Sequence, residues 1–166
     1  MWARDIGIIT GEVVQSITID APVAAVFAGL SSASIRSVWA KLPGRDRSYG
    51  LDFREGGTET RTSTFPNIDR DEVLDVRTRF IQILEPSRVV EFVELRLDGV
   101  LRTATLVAWE LSEVDGGTRV DYTEQYQVLT PTGDGTADQK ERKGATPMML
   151  RGLAIAVANS IAATPS

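Results

Sequence analysis

The stretch from Ser16 to Phe27, "SITIDAPVAAVF", decides the fold of this chain. Apolar and polar residues alternate from Glu12 to Asp20, a pattern typical of a strand with one buried face. Asp20 suits a helix N-cap, and Pro22 suits a first helical turn because its missing N–H would have no intrahelical partner there. The residues that then fall on one helical face are Val23, Val26, Phe27 and Leu30. The stretch therefore predicts a strand followed directly by a helix.

The remainder of the chain predicts a second short helix, six more strands and a long final helix. The second helix covers residues 35–40, and the strands, separated by Gly, Pro and Asp turn signals, cover 48–54, 58–65, 72–84, 89–97, 101–114 and 118–130. The polar, Gly-rich segment from Pro131 to Ala145 is predicted to be a surface loop with one helical turn. Thr146 and Pro147 are predicted to open the final helix, which ends near Ala162. We expect one α+β domain over residues 1–166, built on an antiparallel sheet.

The amino-acid composition of the chain argues against several classes of function. The chain has 166 residues, of which 42% are hydrophobic and 25% charged, which is typical of a globular domain and predicts no membrane association. Its net charge of −5 argues against nucleic-acid binding, because that activity needs a basic surface. The chain contains no histidine and no cysteine, so disulfides, thiolate zinc sites and Ser-His-Asp triads are excluded. We expect no cofactor, no metal and, since no secretory signal is apparent, a cytoplasmic location.

Several motifs carry a resemblance to a known family. The segments "ITIDAPVAAVFAGL", "IRSVWA", "LDFREGGTETR", "VVEFVELRLDG" and "GGTRVDYTEQY" resemble the START-like (SRPBCC) superfamily, to which the polyketide cyclases belong. Within it, they look like the branch named for the activator of the heat-shock-protein-90 ATPase. The resemblance implies a helix-grip fold, in which about seven curved antiparallel strands wrap a long C-terminal helix and two short helices follow the first strand. None of the motifs is a catalytic signature, so they bear on fold more than on function.

The space between the sheet and the last helix is the ligand pocket that the resemblance implies. Strand alternation indicates which side chains point into it. The ligand-binding candidates are Tyr49, Phe53, Glu91, Val107, Trp109, Tyr122, Glu124, Tyr126, Met149 and Leu153. Glu124 and Glu91 are the catalytic candidates, because a carboxyl in apolar surroundings has a raised pKa and can exchange a proton. The alternative is that these glutamates pair with an arginine or reach solvent at a strand end, and that the tyrosines fill the core.

Three functions remain open on the sequence. The first is a domain that binds a small hydrophobic or aromatic molecule in the cavity. The second is a metal-independent enzyme of the cyclase or dehydratase type, in which Glu124 or Glu91 acts as acid or base. The third is a co-chaperone-like interaction domain. The small residues of "RGLAIAVA" in the final helix also leave a homodimer open.

Overall fold

A seven-stranded antiparallel sheet and three helices form residues 7–165, the part of the chain that the computed structural model describes. The strands are β1 (Ile9–Ile19), β2 (Arg45–Leu51), β3 (Thr58–Pro66), β4 (Asp71–Leu84), β5 (Arg88–Leu97), β6 (Val100–Val114) and β7 (Gly117–Val128). The helices are α1 (Val23–Ser31), α2 (Ala33–Trp39) and α3 (Thr136–Ala162). Two short helices follow the first strand and a long helix follows the last. The predicted α+β helix-grip architecture is therefore confirmed.

The first two strands form the two edges of the sheet. The strand order is β1-β7-β6-β5-β4-β3-β2, so α1 and α2 carry the chain from one edge to the other. From β2 to β7 each strand pairs with the next one, as predicted for a meander. The turn between β5 and β6 shows why: Asp98 and Gly99 have φ values of 50° and 79°. Asp-Gly favours such a tight hairpin because both central residues need positive φ.

One face of the sheet is covered by the helices and forms the core. The largest fully buried side chains are Trp109, Phe80, Leu30, Leu150 and Leu153. Helix α1 approaches α3 closely at Gly29, where a Cβ atom would lie 2.8 Å from Val157 Cγ2. The alternation predicted for β1 is correct, because Val13 and Ile19 are buried while Val14 is exposed. Burial of one sheet face under α3 places any internal cavity between these two layers.

The final helix begins ten residues before the predicted start, at Thr136 instead of Thr146. The predicted loop from Pro131 to Ala145 is therefore wrong over most of its length. The physical reason is that "TADQKERKGA" is rich in strong helix formers, whose propensity extends the helix back through this segment. Pro147 lies inside α3, although proline removes one backbone hydrogen bond from a helix interior. Beside it, the Thr146 hydroxyl donates to the Arg142 carbonyl at 3.2 Å instead of capping a helix.

Two other predicted boundaries differ from the structure. Helix α1 has Pro22 as its N-cap residue and no side-chain cap, so the prediction that Asp20 caps it is wrong. Strand β2 ends at Leu51, with a register shift between Asp46 and Ser48, instead of extending to residue 54. Phe53 consequently lies beyond the strand, where strand alternation does not decide its direction.

Helix α3 is long and apolar enough, by length and composition alone, to cross a membrane. Its Leu150, Leu153 and Val157 are nevertheless fully buried against the rest of the domain. The core helix of a soluble domain passes the same test, so this helix is weak evidence for a membrane span.

Candidate functional site

Two adjoining cavities lie between the sheet and α3. The inner cavity, of about 160 Å³, is bounded by the central strands, α2 and α3, and the outer cavity, of about 300 Å³, lies under the first half of α3. The side chains that line both are Leu95, Thr103, Tyr122, Glu124, Arg142 and Met149. A larger surface groove of about 630 Å³ runs between α1, α2 and the end of α3, but no ionisable side chain lines it. The two adjoining cavities differ from this groove because ionisable side chains line both of them.

The ten predicted site residues fall into two groups. Those that line the inner cavity are Glu91, Val107, Trp109, Tyr122, Glu124 and Met149. The other four lie around it. Tyr49 donates to Glu59, which itself lines the cavity, and Phe53 packs between the rings of Phe27 and Phe80. Tyr126 packs against Val13 and Val128, and Leu153 is a fully buried core residue.

The α2 network consists of Arg36, Arg61, Glu59 and Glu91, and it is buried at the inner end of the cavity. Arg36 is a buried residue, only 2% exposed, and it donates from Nε to Glu59 Oε2 at 2.7 Å and from Nη2 to Glu91 Oε2 at 2.9 Å. Its Nη1 donates to the Leu30 carbonyl at 3.1 Å. One arginine therefore joins the two short helices to β3 and β5.

Further donors complete the α2 network. Glu59 Oε2 also accepts from Arg61 Nη2 at 2.7 Å and from the Tyr49 hydroxyl at 3.0 Å. Glu91 Oε1 accepts from Trp109 Nε1 at 3.1 Å, and the Trp109 ring meets the Trp39 ring edge to face at 5.6 Å. Both carboxylates are thus held by arginine and by an aromatic donor.

Attraction between opposite charges offsets the cost of burying the charged Glu59 and Arg36 side chains. Burial alone would raise the pKa of the Glu59 carboxyl, but attraction to Arg36 and hydrogen bonds from Arg61 and Arg36 outweigh it, so that pKa is lowered. Burial also opposes the charge on Arg36, yet its two glutamate partners raise the pKa of its guanidinium. Burial and the Glu59 charge together raise the pKa of the Tyr49 hydroxyl to about 12. At neutral pH the Glu59 carboxylate is therefore charged, and the Tyr49 phenol that donates to it is neutral.

The α3 network consists of Arg142, Glu124 and Tyr122, and it lies where the two cavities meet. Arg142 Nη1 donates to Glu124 Oε1 at 3.2 Å, and its guanidinium lies 4.7 Å from the centre of the Tyr126 ring. The Tyr122 hydroxyl donates to Glu124 Oε2. Burial, followed by the Glu124 charge, raises the pKa of that hydroxyl. Arg142 also donates to the Thr105 and Thr103 hydroxyls at 3.1 and 3.3 Å.

A third contact holds the start of α3 over the outer cavity. Arg102 on β6 donates to the Thr130 carbonyl at 2.7 Å and to Asp138 Oδ1 at 3.0 Å. Asp138 in turn accepts from the Thr132 backbone N–H at 2.7 Å. The first turn of α3 is therefore fastened to the sheet by a charged pair that also lines the outer cavity.

This arrangement limits the chemistry of the cavity. Three arginines and three glutamates line the inner cavity, and each glutamate pairs with at least one arginine. The lining of the inner cavity therefore has no net charge. Within residues 7–165 no group of three or more acidic side chains is placed to hold a metal ion. The alternative in which the glutamates pair with arginines is the arrangement that the structure shows.

The charged partners of the candidate residues are not predicted by the sequence pattern. Arg36 sits in "SIRSVWA", and its neighbours Ile35 and Trp39 gave the only signal that this arginine lies on a helix facing the core. Glu59 and Arg61 share one face of β3, and their face is buried while the Thr60 side chain points to solvent. Arg142 lies in the segment from Pro131 to Ala145, for which the sequence pattern predicts a loop.

Comparisons with known proteins identify the family. Residues 20–158 match the family model described as activator of Hsp90 ATPase homolog 1-like protein. An uncharacterised protein from Rhizobium leguminosarum is 26% identical, with a TM-score of 0.79 over 92% of this chain and 97% of its own. The protein Mll3558 from Rhizobium loti is 22% identical, with a TM-score of 0.73 over 90% and 99%. Among curated proteins, none matches this sequence significantly.

Proposed function

This chain belongs to the family of activator of Hsp90 ATPase homolog 1-like proteins, and from that premise we propose that it binds a small, largely hydrophobic molecule in the inner and outer cavities. The observation that carries the proposal is a space between sheet and helix whose inner part combines apolar side chains with arginine and glutamate side chains that pair with each other. We place this activity in the cytoplasm, where a chain without cysteine needs no oxidising surroundings.

The lining favours an apolar ligand body. Its apolar and aromatic members include Val93, Leu95, Val107, Trp109 and Met149. A dry cavity of about 150 Å³ is large enough to bind benzene, so the inner cavity of about 160 Å³ fits one aromatic ring. The outer cavity offers room for a substituent that extends under α3. Pockets that mix an apolar wall with a few fixed polar groups are typical of small-molecule sites.

Binding is favoured over catalysis by the pairing of the carboxylates. The cyclase or dehydratase alternative needs an acid or base with a proton to exchange within reach of the ligand. Glu91 instead accepts from Arg36 and Trp109, and Glu124 accepts from Arg142 and Tyr122. Neither carboxylate has an oxygen atom without a donor. The co-chaperone-like alternative has no comparable observation among the described residues in its favour.

A pair of neighbouring methionines on α3 tests the proposal. Met149 lines both cavities, whereas Met148 is 69% exposed. We expect Met149→Trp to fill the space and to reduce the affinity for the neutral apolar dye N-phenyl-1-naphthylamine at least tenfold, as measured by dye fluorescence. Met148→Trp makes the same substitution one residue away and should leave that affinity unchanged.

Mass spectrometry of the purified protein under native conditions supplies the second readout. The wild type and Met148→Trp should release a small apolar molecule on denaturation, and Met149→Trp should not. Equal dye binding by all three proteins, with no released molecule, would show that the cavities are not a ligand site.

A further inference from the structure

Two threonines that line the inner cavity have hydroxyl groups that can still donate a hydrogen bond. Thr78 and Thr105 are each 2% exposed, and both line the cavity. Thr105 Oγ1 accepts a hydrogen bond from Arg142, and since a guanidinium only donates, the Thr105 hydroxyl proton remains to be given to another acceptor. No side-chain hydrogen bond of Thr78 is formed within residues 7–165, and since no sealed-off side-chain oxygen or nitrogen atom there lacks a partner, the Thr78 hydroxyl is accessible from the cavity. Both hydroxyls can therefore donate to an acceptor brought into the cavity.

The two hydroxyls are arranged across one apolar residue. Thr78 on β4 pairs with Val93 on β5, and Val93 pairs with Thr105 on β6. All three line the inner cavity. Neighbouring strands lie about 4.8 Å apart, so the two threonine Cα atoms are separated by roughly 10 Å across the sheet. A ring lying over Val93 would bring a substituent on either side within reach of a hydroxyl.

The charges around this row disfavour a charged ligand. All three hydrogen bonds to Glu59 end on Oε2, and its Oε1, which receives none of them, would repel an anion. A cation would meet the guanidinium groups of Arg36 and Arg142 at the two ends of the cavity. Because the lining charges already pair with each other, a ligand charge would lose its hydration without gaining a counter-ion.

From these observations, and resting on the proposed binding function, we infer that the ligand is an uncharged molecule with an apolar ring over Val93 and a carbonyl oxygen that accepts a hydrogen bond from Thr105 or Thr78. These two threonines are then the residues that determine which apolar molecules are selected. A hydrocarbon of the same shape would leave both hydroxyls unbonded, and a carboxylate or ammonium would add an unpaired charge.

Four probes of similar size test the inference by titration calorimetry. Acetophenone carries the ring and the carbonyl, ethylbenzene lacks the acceptor, benzoate is an anion and 1-phenylethylamine is a cation at neutral pH. We expect acetophenone to bind tightest, ethylbenzene roughly three- to tenfold more weakly for the loss of one hydrogen bond, and both ions at least tenfold more weakly.

Threonine variants identify the donor. Thr78→Val combined with Thr105→Val should remove the preference for acetophenone over ethylbenzene. Thr105→Ser keeps the hydroxyl and should keep the preference, as should Thr60→Val, which makes the same change on the exposed face of β3. If the double variant fails to fold, the test uses the Thr78→Val variant, the Thr105→Ser variant and the wild-type protein, each titrated with the same probes.

The outcomes separate the inference from the proposed function. Equal binding of acetophenone and ethylbenzene, tighter binding of either ion, or no binding of any probe would overturn the ligand class. In each of those cases the proposed function stands if Met149→Trp still weakens dye binding at least tenfold and prevents ligand release, and it falls if Met149→Trp does neither.

Discussion

The α2 network and the α3 network contain the same chemistry in different surroundings. In the α2 network, the Arg36 and Glu59 side chains are each 3% exposed, whereas in the α3 network the Arg142 side chain is 20% exposed. The first joins α1 and α2 to the middle of the sheet, and the second lies at the junction of the two cavities. Since a deeply buried charge cannot recover its hydration when its partner is lost, the α2 network should govern stability. The α3 network, closer to solvent, should govern what enters the cavity.

The largest expected effect is the loss of Arg36. Arg36→Met would leave Glu59 and Glu91 with fewer donors in the core, and removing one partner of a buried ion pair costs about 3–5 kcal/mol. We expect urea denaturation to show a loss of that size in the free energy of unfolding. Arg88→Met is the matched control, because Arg88 pairs with Glu110 on the surface, where such a pair is worth about 0–1 kcal/mol. Similar losses for the two variants would contradict the assignment of a structural role to the α2 network.

The corresponding change in the α3 network should reduce the free energy of unfolding less and alter dye affinity more. Arg142→Met removes the charge that faces Glu124. The Glu124 side chain is only 6% exposed, but it lines the outer cavity and keeps its hydrogen bond from Tyr122, so we expect a loss of about 1–3 kcal/mol. The variant also releases the Thr105 and Thr103 hydroxyls and opens the junction of the cavities, so dye affinity should change at least threefold. Arg142→Lys should retain the charge without the forked geometry and give an intermediate result.

The comparison would fail if Arg142→Met lost as much stability as Arg36→Met, or if Arg36→Met altered dye affinity while Arg142→Met did not. Both quantities can be measured on the same samples, by urea denaturation followed through tryptophan fluorescence and by dye titration.

The sequence predicted the fold because each element has a local signal. Alternation in β6 and β7 also placed Val107, Trp109, Tyr122 and Glu124 correctly on the face that lines the cavity. These assignments depend only on period two along a strand, and the hairpin turns fix which strands are neighbours. Strand β2 ends at Leu51, so alternation along it could not assign the direction of Phe53.

The charged networks could not be predicted in the same way, because their pairing is not local. Arg36 lies 23 residues from Glu59 and 55 residues from Glu91 along the chain. Periodicity assigns each side chain to a face but does not identify its partner. Arg142 was missed for a different reason: the Thr146–Pro147 pair is a good helix start in isolation, and helix propensity in the preceding ten residues outweighed it.

Acid should reduce stability more through the α2 network than through surface pairs. The pKa of Glu59 is lowered in the folded chain, so its contribution to stability is fully present above its unfolded pKa of about 4.3 and is lost as pH falls through the folded value. The contribution is about 1.4 kcal/mol for each unit by which that pKa is lowered. We expect Glu59→Gln to flatten the dependence of unfolding free energy on pH below about 4.3. Glu110→Gln, on the exposed pair with Arg88, should keep the wild-type slope, and an unchanged slope in Glu59→Gln would count against this account.

The smallest expected effect concerns Tyr49, which lies at the rim of the α2 network, where its hydroxyl donates to Glu59. Burial and the Glu59 charge raise the pKa of Tyr49 to about 12, so its phenol stays neutral in a pH range where an ordinary tyrosine, with a pKa of about 10, ionises. Because the folded value is the higher one, the contribution of Tyr49 to stability is present below about pH 10 and is lost as pH rises through the folded value. Ultraviolet titration of the folded protein should show one phenolate appearing near pH 12, and Tyr49→Phe should remove that step. Glu59→Gln should move the step toward about 10, since the carboxylate that opposes ionisation is gone. A Tyr49 step that stays at the same pH in Glu59→Gln would mean that burial alone raises it, and that the charge of the α2 network does not extend to its rim.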